Sequence, residues 1–377
     1  MWFYNANVFT PSGYIYGGFR VENGCFAEIV PGPDKGDHKE GKDLRGAKVL
    51  PGLIDIHTHG NSGADFSDGD AEGLRRMARY LAKNGVTGFA PASVTLPYEM
   101  LDSAFKTAEE LHRDRPADCA RLLGIHMEGP FFSEKKKGAQ NGDYLRIPDY
   151  EAFKNLYDGC GGLIRIADIA PELPGAMEFT KKAANLCTVS VAHTDANYEE
   201  AAAVFDAGAS LLTHLFNAMP PVHHRSPGVI GAAGEKEEVS AELICDGIHV
   251  HPSAVRMAFR LFPGRICLIS DALRCCGMPD GSYDLGGQEV VLKDGAACLA
   301  DGTIAGSAVN LFDCLRNAVR FGITEEEAIL AATLNPARKI GADAVTGSIE
   351  AGKYADFVVC DDALHLKQVY IDGIIVE

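Results

Sequence analysis

Two histidines separated by one residue stand out in the segment VLPGLIDIHTHG, residues 49–60. Side chains alternate between the two faces of an extended strand, so Asp55, His57 and His59 are expected on one face. Two imidazoles that converge in a buried strand usually bind a divalent metal ion. Turn-forming residues flank the apolar run, which indicates a buried strand that opens into a functional loop.

The carboxyl ends of other predicted strands carry further side chains that could bind a metal ion or transfer a proton. They are Glu128 after the third strand, His193 after the fifth, His214 after the sixth, His249 just past the seventh and Asp271 after the eighth. Each alone has an ordinary explanation: a hydrogen-bonded core histidine, a helix N-cap at Asp271, or an ion pair between Glu128 and a nearby lysine. Because five separate strands end in such a residue, the pattern predicts a zinc-type metal centre.

The remaining histidines are interpreted differently. His126 lies two residues before Glu128 on the same strand face, and we interpret it as a core residue or a support for the ligands. Glu128 is a third ligand or a bridge between two ions. The histidines placed on the surface or in loops are His112, His223, His224 and His251.

Two segments are candidates for contacting a substrate. PPVHHRSPG is unusually basic for this chain and contains Arg225, whose guanidinium suits a phosphate, with a solvent-exposed loop residue as the ordinary alternative. The glycines in residues 228–234 would let the backbone approach a ligand. Residues 274–287 follow Asp271 without helical periodicity, which predicts a mobile cover over the site. The thiols in that segment, Cys275 and Cys276, are interpreted as incidental.

A repeated pattern of strand, loop and helix must position these side chains. The eight predicted strands are residues 53–57, 86–93, 120–127, 163–170, 187–193, 210–216, 240–246 and 265–271. Eight units favour an α/β fold with a closed (β/α)8 TIM-like barrel at residues 51–340 over an open doubly wound sheet. The chemistry of such a barrel collects at the carboxyl ends of its strands.

Helices and a second, smaller domain complete the predicted architecture. The predicted helices are residues 70–84, 99–113, 176–185, 198–207, 252–262, 309–321 and 325–333. Residues 1–50 and 341–377 alternate apolar runs with turns, including tight turns at Asn23-Gly24 and Asp372-Gly373. Residues 31–45 are polar and predict a loop. We expect both termini to build one small β-sandwich domain around the barrel.

Composition limits the classes of partner. The 377 residues are 46% hydrophobic and carry a formal net charge of −17, which argues against nucleic acid or an anionic membrane as a partner. No apolar run approaches the roughly 20 residues that span a bilayer. The eleven cysteines contain no CxxC pair, and the first residues lack an export signal. We therefore expect reduced thiols and a cytoplasmic protein.

Several motifs together resemble one known family. PGLIDIHTHG is similar to the entry signature of the amidohydrolase superfamily. IHMEGPFF, KKGAQN, AHTDA, THLFNAM, RSPG, DGIHV, SDA and TLNPA follow in the order and spacing of its N-acetylglucosamine-6-phosphate deacetylase family. The match runs from about residue 45 to 377 and includes GSIEAGKYADFVV, which is typical of the superfamily's β-domain.

The resemblance implies a role for each matching residue. Glu128, His193 and His214 correspond to the ligands of the tightly bound ion, and His57 and His59 leave room for a second one. Asp271 corresponds to the general acid/base. The implied substrate contacts are Ala139, Gln140, Asn217, Ala218, Arg225, Asp246, Gly247, Ile248, His249, Ile304, Ala305 and Gly306. The implied cofactor is one or two divalent ions, zinc first, with iron, manganese or cobalt as alternatives.

The family also implies a homodimer in which Arg225 reaches the neighbouring subunit's site. One departure concerns Gln140, which stands where some members have a histidine. The implied reaction hydrolyses the acetamide of N-acetylglucosamine 6-phosphate to glucosamine 6-phosphate and acetate, in amino-sugar catabolism and cell-wall sugar recycling.

The residues give this reaction a physical basis. A metal ion activates both water and the amide carbonyl, and Asp271 can carry the proton from water to the leaving nitrogen. His249 or a second ion could stabilise the oxyanion. A cyclic amidohydrolase of the dihydroorotase type is an alternative, but its carbamylated lysine has no counterpart in the fourth strand, LIRIADIA. A catalytically silent scaffold would lack metal or acid residues, and none is missing.

Overall fold

The two ends of the chain pair in one β-sheet. The computed structural model describes residues 1–32 and 41–377, so part of the predicted loop at residues 31–45 lies outside the described residues. Lys48–Pro51 pairs antiparallel with Phe357–Cys360 and joins the N-terminal strands to the C-terminal ones. The strands of this sheet are Trp2–Thr10, Gly13–Glu22, Cys25–Pro31, Lys42–Asp43, Lys48–Pro51, Phe357–Cys360, Leu366–Ile371 and Ile374–Ile375.

Both predicted hairpin turns are confirmed. Asn23 and Gly24 have φ angles of 52° and 76° between the paired residues Glu22 and Cys25. Asp372 and Gly373 have φ angles of 53° and 73° at the second turn. Successive left-handed residues match the twist of the flanking strands, which is why asparagine, aspartate and glycine occur here.

The terminal sheet is strongly curled around an aromatic cluster. Phe19 and Phe357 lie on strands separated by two others, which in a flat sheet would place them roughly 14 Å apart. Their ring centroids are only 5.0 Å apart, and Phe3 and Tyr370 pack against Phe357 as well. The inner face of this sheet is therefore filled by its own side chains.

The middle of the chain forms a curled parallel sheet with helices between its strands, as predicted. The eight parallel strands are Leu53–Thr58, Val86–Pro91, Ile125–Met127, Ile164–Ile169, Thr188–Val191, Leu211–Leu212, Ser240–Ile244 and Ile266–Ile269. A ninth short segment, Arg121–Leu122, pairs with Val86–Pro91. A parallel bridge links Ala92 to His126, and the Asp271 amide donates a 2.9 Å hydrogen bond to the His57 carbonyl.

The helices cover the parallel sheet. They are Ala71–Lys83, Tyr98–Arg113, Tyr150–Gly159, Ala176–Ala183, Tyr198–Asp206, Gly228–Gly234, Pro252–Leu261, Leu311–Arg320, Glu325–Ala332 and Leu334–Lys339. Capping residues fix several starts: Asp70 accepts from the Glu72 amide, and Asn197 forms a capping box with Glu200. Among the described residues, no helix combines the length and apolar character needed to cross a bilayer.

The structure of residues 274–287 differs from the predicted mobile loop. Part of this segment, Gly281–Leu285, is the first strand of a four-stranded antiparallel sheet, which we call the cover sheet. Its other strands are Gln288–Lys293, Ala296–Leu299 and Ile304–Gly306. Gly286-Gly287 and Asp294-Gly295 take left-handed φ angles at its hairpin turns. These glycines therefore form tight turns between paired strands and are not part of an irregular loop.

Candidate metal centre and active site

Three candidate site residues lie where the backbone leaves its strand. His193, His214 and Asp271 have φ angles of 43°, 30° and 48°, in the left-handed region that side chains with a Cβ rarely adopt. Each residue follows the end of a parallel strand by a few positions or fewer. Such strained backbone persists where surrounding structure holds it, and it is concentrated at functional sites.

The carboxylate of Glu128 is the centre of the candidate site. Its Oε1 atom lies 3.3 Å from both His193 Nε2 and His214 Nε2 and 3.4 Å from His57 Nε2. Its Oε2 atom lies 3.4 Å from His59 Nε2. All five side chains are buried. Two overlapping groups of potential ligands result, Glu128 with His193 and His214, and Glu128 with His57 and His59.

The outer nitrogens of two imidazoles, those of His193 and His59, are held by backbone carbonyls. Nδ1 of His193 lies 2.9 Å from the Lys136 carbonyl, and Nδ1 of His59 lies 3.1 Å from the Ala92 carbonyl. Because a carbonyl accepts, each Nδ1 carries a proton, and each Nε2 offers a lone pair toward Glu128 once its own proton has left. Fixing the tautomer through the outer nitrogen is the usual arrangement of metal-binding histidines.

The donor set therefore fits a divalent cation. His193 Nε2 and His214 Nε2 are 3.1 Å apart, and His57 Nε2 is buried without a hydrogen-bond partner in the part of the chain that the structure describes. Lone pairs that face each other in a buried space are unfavourable unless a cation or a proton lies between them. Four imidazole nitrogens and carboxylate oxygens are the ligands that zinc and similar ions prefer.

The interactions between Glu128 and the surrounding imidazoles keep its carboxylate ionised in spite of burial. Burial raises the pKa of Glu128, but the surrounding imidazoles, His57 first, hold it well below its usual value. Burial lowers the pKa of His57, but Glu242 and Glu128 raise it well above the usual value. Protons and metal ions compete for such ligands, so an ion that binds here releases protons.

Asp271 faces the first pair of histidines. Its Oδ1 atom is 3.3 Å from His59 Nε2 and 3.6 Å from His57 Nε2. Burial raises the pKa of this carboxyl, but the hydrogen bond from His59 and the charges of the imidazoles lower it below its usual value. A charged carboxylate at this position can accept a proton.

A cavity opens above these groups, and most of the sequence-predicted contacts line it. Asp271, Glu128, His59, His193 and His214 form its floor. The predicted substrate contacts on its walls are Ala139, Gln140, Asn217, Ala218, His249, Ile304, Ala305 and Gly306. The last three belong to the final strand of the cover sheet, which therefore supplies one wall.

The side-chain amide of Gln140 forms hydrogen bonds within the protein through both its nitrogen and its oxygen. Its Nε2 atom donates a 2.5 Å hydrogen bond to Glu128 Oε2, and its Oε1 atom accepts a 2.7 Å bond from the Thr95 amide. Next to it, the Ala139 carbonyl accepts a 2.5 Å bond from Gln288 of the cover sheet. Gln140 thus links the central carboxylate to the wall of the cavity.

Four predicted contacts lie outside the lining of the cavity in this single chain. Asp246 holds the turn over residues 246–249, because its carboxylate accepts from the amides of Ile248 and His249 and lies 2.6 Å from His249 Nδ1. Gly247 takes a left-handed φ of 82° in that turn. Ile248 is 41% exposed. Arg225 is exposed, and among the described residues the hydrogen-bond partner of its guanidinium is the neighbouring His224 at 2.7 Å.

A second layer of buried polar residues lies beneath the candidate ligands, and sequence reasoning identified only part of it. His126 is a core residue, with Nδ1 3.0 Å from the Ile56 carbonyl and Nε2 3.0 Å from Asp168 Oδ1. Glu242 Oε2 lies 2.9 Å from His57 Nδ1. Asp55 accepts a 2.6 Å bond from Ser270. A lone acidic residue inside an apolar strand was the only available sequence signal for Asp168 and Glu242.

Comparison with known proteins places these residues in a family. Residues 48–376 match the amidohydrolase family. The chain is 36% identical over 358 residues to N-acetylgalactosamine-6-phosphate deacetylase of Escherichia coli O157:H7, covering 94% of this chain and 93% of the relative. It is 39% identical over 317 residues to N-acetylglucosamine-6-phosphate deacetylase of Bacillus subtilis strain 168, covering 82% of this chain and 80% of the relative.

Solved structures agree with the sequence relatives. A mutant of N-acetyl-D-glucosamine-6-phosphate deacetylase from Mycobacterium smegmatis, in complex with N-acetyl-D-glucosamine-6-phosphate, has a TM-score of 0.93 and 31% identity. The similarity covers 100% of this chain and 99% of that one. The chain therefore belongs to the amidohydrolase family and, within it, to the N-acetylglucosamine-6-phosphate deacetylase group.

Proposed function

We propose that this protein hydrolyses the acetamide of N-acetyl-D-glucosamine 6-phosphate to D-glucosamine 6-phosphate and acetate, in amino-sugar catabolism and cell-wall sugar recycling. The observation that carries the proposal is the buried Glu128 carboxylate, which has four imidazole Nε2 atoms within 3.4 Å and Asp271 beside the same histidines. The relatives that match most of the chain are named for this type of reaction.

The ligand set supports a site for two divalent ions, with zinc first. Glu128, His193 and His214 would hold one ion, and His57, His59 and Glu128 would hold the other. When bound, such an ion lowers the pKa of a water molecule towards about 7 and polarises the amide carbonyl. Elemental analysis of the purified protein distinguishes zinc from iron, manganese and cobalt.

The chain's own residues would then handle the proton and the substrate. Asp271 accepts the water proton and delivers it to the amide nitrogen, which could not leave as an anion. His249 lines the cavity and is held by Asp246, so its imidazole can donate a hydrogen bond to the developing oxyanion. Gln140 orients Glu128 and faces the sugar.

Recognition of the phosphate would need a second copy of the chain. Arg225 is exposed and does not line its own cavity, although a guanidinium is the group best suited to a phosphate. A homodimer in which Arg225 enters the partner's site accounts for both facts. We expect Arg225→Ala to weaken binding of the phosphosugar far more than that of unphosphorylated N-acetylglucosamine, and equal weakening would contradict this role.

The architecture we propose for this function is a closed (β/α)8 barrel over residues 51–340, with a β-sandwich built by residues 1–50 and 341–377. Hydrogen bonding between the first and eighth parallel strands and the bridge between Ala92 and His126 support closure. The aromatic cluster inside the curled terminal sheet supports the sandwich. All eleven cysteines are free thiols, which supports a cytoplasmic location.

N-acetylgalactosamine 6-phosphate is a second candidate substrate. The Escherichia coli relative, which this chain matches over 93% of the relative's length, is named for that compound. The test is an acetate-release assay on the 6-phosphates of N-acetylglucosamine, N-acetylgalactosamine and N-acetylmannosamine, with elemental analysis of the same sample. We expect one or two divalent ions per chain and the fastest release from the glucosamine derivative. No acetate release from any of them would overturn the proposed function.

A further inference from the structure

Glu242 is a buried carboxylate to which the proposed reaction gives no part. It lies on the seventh parallel strand, Ser240–Ile244, and is completely buried. Its Oε2 atom lies 2.9 Å from His57 Nδ1, and its Oε1 atom has no hydrogen-bond partner among the described residues. A buried carboxylate with an unsatisfied oxygen is costly, so the chain keeps it for a reason other than packing.

The contacts of Glu242 distinguish it from a metal ligand. The imidazoles beside it are those of His57 and His126, and Glu242 Oε1 lies 3.7 Å from His126 Nδ1. Both nitrogens of His126 are already committed, one to the Ile56 carbonyl and one to Asp168. An ion among these three residues would have to break those bonds, whereas the bond to His57 is short and intact.

The bond to Glu242 determines what His57 can do. Because a carboxylate accepts, Nδ1 of His57 keeps its proton, and Nε2, once its own proton has left, offers a lone pair toward Glu128 and Asp271 at 3.4 and 3.6 Å. The negative charge of Glu242 also makes that lone pair a stronger donor.

Charge balance favours the same role. Two divalent ions bring four positive charges into a buried site, where Glu128 and Asp271 supply only two negative ones and the histidines are neutral. A fixed negative charge one layer below the ligands offsets part of this excess. Glu242 lies directly behind His57 and provides it.

We propose that Glu242 is a positioning residue that fixes the tautomer of His57 and thereby makes this chain bind a second divalent ion at His57 and His59. The inference rests on the proposed two-ion site. Binding of an ion at His57 and His59 would then depend on Glu242, which lies 185 positions after His57 in the sequence.

The test compares two isosteric variants that each remove one buried charge from the same layer. Glu242→Gln is the variant of interest. Asp168→Asn is the matched control, because Asp168 is equally buried and also has an unpartnered oxygen, but its imidazole partner is His126 and not His57. Zinc or manganese content is measured by elemental analysis after dialysis against graded chelator. Magnetic coupling between two Mn²⁺ ions is followed by electron paramagnetic resonance.

We expect Glu242→Gln to bind one ion with unchanged affinity and the other about 10- to 100-fold more weakly, with loss of the coupled signal. Asp168→Asn should keep two ions. Two ions bound at wild-type affinity in Glu242→Gln, or equal loss in both variants, would overturn the inference.

A double-variant cycle tests whether Glu242 acts through His57. In a His57→Gln background the second ion is already weakened, so adding Glu242→Gln should cause no further loss of affinity if Glu242 acts through His57. A further loss of similar size would contradict that route. A wild-type protein that releases acetate with a single bound ion would refute the inference about Glu242 and leave the proposed deacetylase function standing.

Discussion

Asp271 is held as a carboxylate although it is almost fully buried. Hydrogen bonding from His59 and the nearby imidazole charges lower its pKa in spite of burial, which acts in the opposite direction. The group is therefore ready to accept a proton at neutral pH. Its contribution belongs to the chemical step more than to binding.

We expect Asp271→Asn to lower kcat by about 10²- to 10⁴-fold, with a small change in KM, because the amide cannot accept the proton of water. The ion at Glu128, His193 and His214 should remain. Acetate release and elemental analysis of the same preparation measure both effects. Asp301→Asn, which alters an exposed aspartate of the cover sheet, is the control. Normal turnover in Asp271→Asn would exclude the proposed role.

Asp246 and His249 form a charged pair beside the cavity. Burial lowers the pKa of His249, but the hydrogen bond with Asp246 raises it above its usual value of 6.5. Burial raises the pKa of Asp246, but His249 lowers it below its usual value of 3.8. The contribution of His249 to stability is lost as pH rises through its raised pKa, and that of Asp246 is lost as pH falls through its lowered pKa.

Asp246→Asn should therefore move the titration of His249 to lower pH, and the variant should not show the alkaline loss of stability that the pair gives the wild type. Imidazole resonances in NMR spectra recorded between pH 5 and 9 report the midpoint, and urea unfolding reports the free energy of unfolding. Asp361→Asn is the matched control, because Asp361 pairs with the exposed His365 in the same way. An unchanged His249 midpoint would show that Asp246 does not set it.

Residues in recognisable motifs at the ends of apolar runs could be predicted from sequence, and isolated acids inside such runs could not. His57, His59 and Glu128 stand in short motifs that end apolar runs, and the structure brings them together at Glu128. Glu242 and Asp168 lie inside such runs, where a single acid gives no indication of the face it occupies or of the imidazole it meets. That depends on which strands are neighbours, and only the fold establishes it.

At the scale of elements, period and length predicted the parallel strands well and the glycine-rich segments poorly. Residues 228–234, whose glycines would let the backbone approach a ligand, form a helix whose Val229 and Ile230 are buried, and the sequence analysis does not predict this helix. Glycine weakens a helix by roughly 1 kcal/mol relative to alanine, and here apolar burial outweighs that cost. The glycines of the cover sheet suggest a mobile loop when only the sequence is considered. In the structure they occupy hairpin turns.

Gln288 ties the cover sheet to the cavity wall through the Ala139 carbonyl. We expect Gln288→Ala to raise KM several-fold at unchanged metal content, because a hydrogen bond of this kind contributes about 1 kcal/mol and holds Gln140 beside the substrate. Steady-state kinetics and elemental analysis test this. Glu289→Ala is the control, since Glu289 is the next residue and is exposed. Equal KM values for Gln288→Ala and Glu289→Ala would show that the link does not matter.

At the scale of the whole molecule, the candidate ligands come from several strands, and the first and last of them, His57 and His214, lie 157 positions apart in sequence. An ion that binds the native state alone stabilises it by about 4 kcal/mol at roughly a thousand times its Kd. We therefore expect chelation to lower Tm by several degrees and added zinc to restore it, as measured by calorimetry. A His193→Asn/His214→Asn double variant should respond much less. An equal Tm before and after complete removal of metal would contradict a shared ion site.

The proposed dimer predicts that two inactive variants can restore activity when they are mixed. If Arg225 serves the partner's cavity while Asp271 serves its own, Arg225→Ala and Asp271→Asn disable different halves of each site. In a mixed dimer, one site lacks both groups and the other has both. Each variant alone should be nearly inactive, whereas co-refolding equal amounts should restore about one quarter of wild-type acetate release, because about half of the dimers are mixed and each has one intact site. If activity stays at the level of the separate variants although mixed dimers have formed, Arg225 acts within its own chain or not at all.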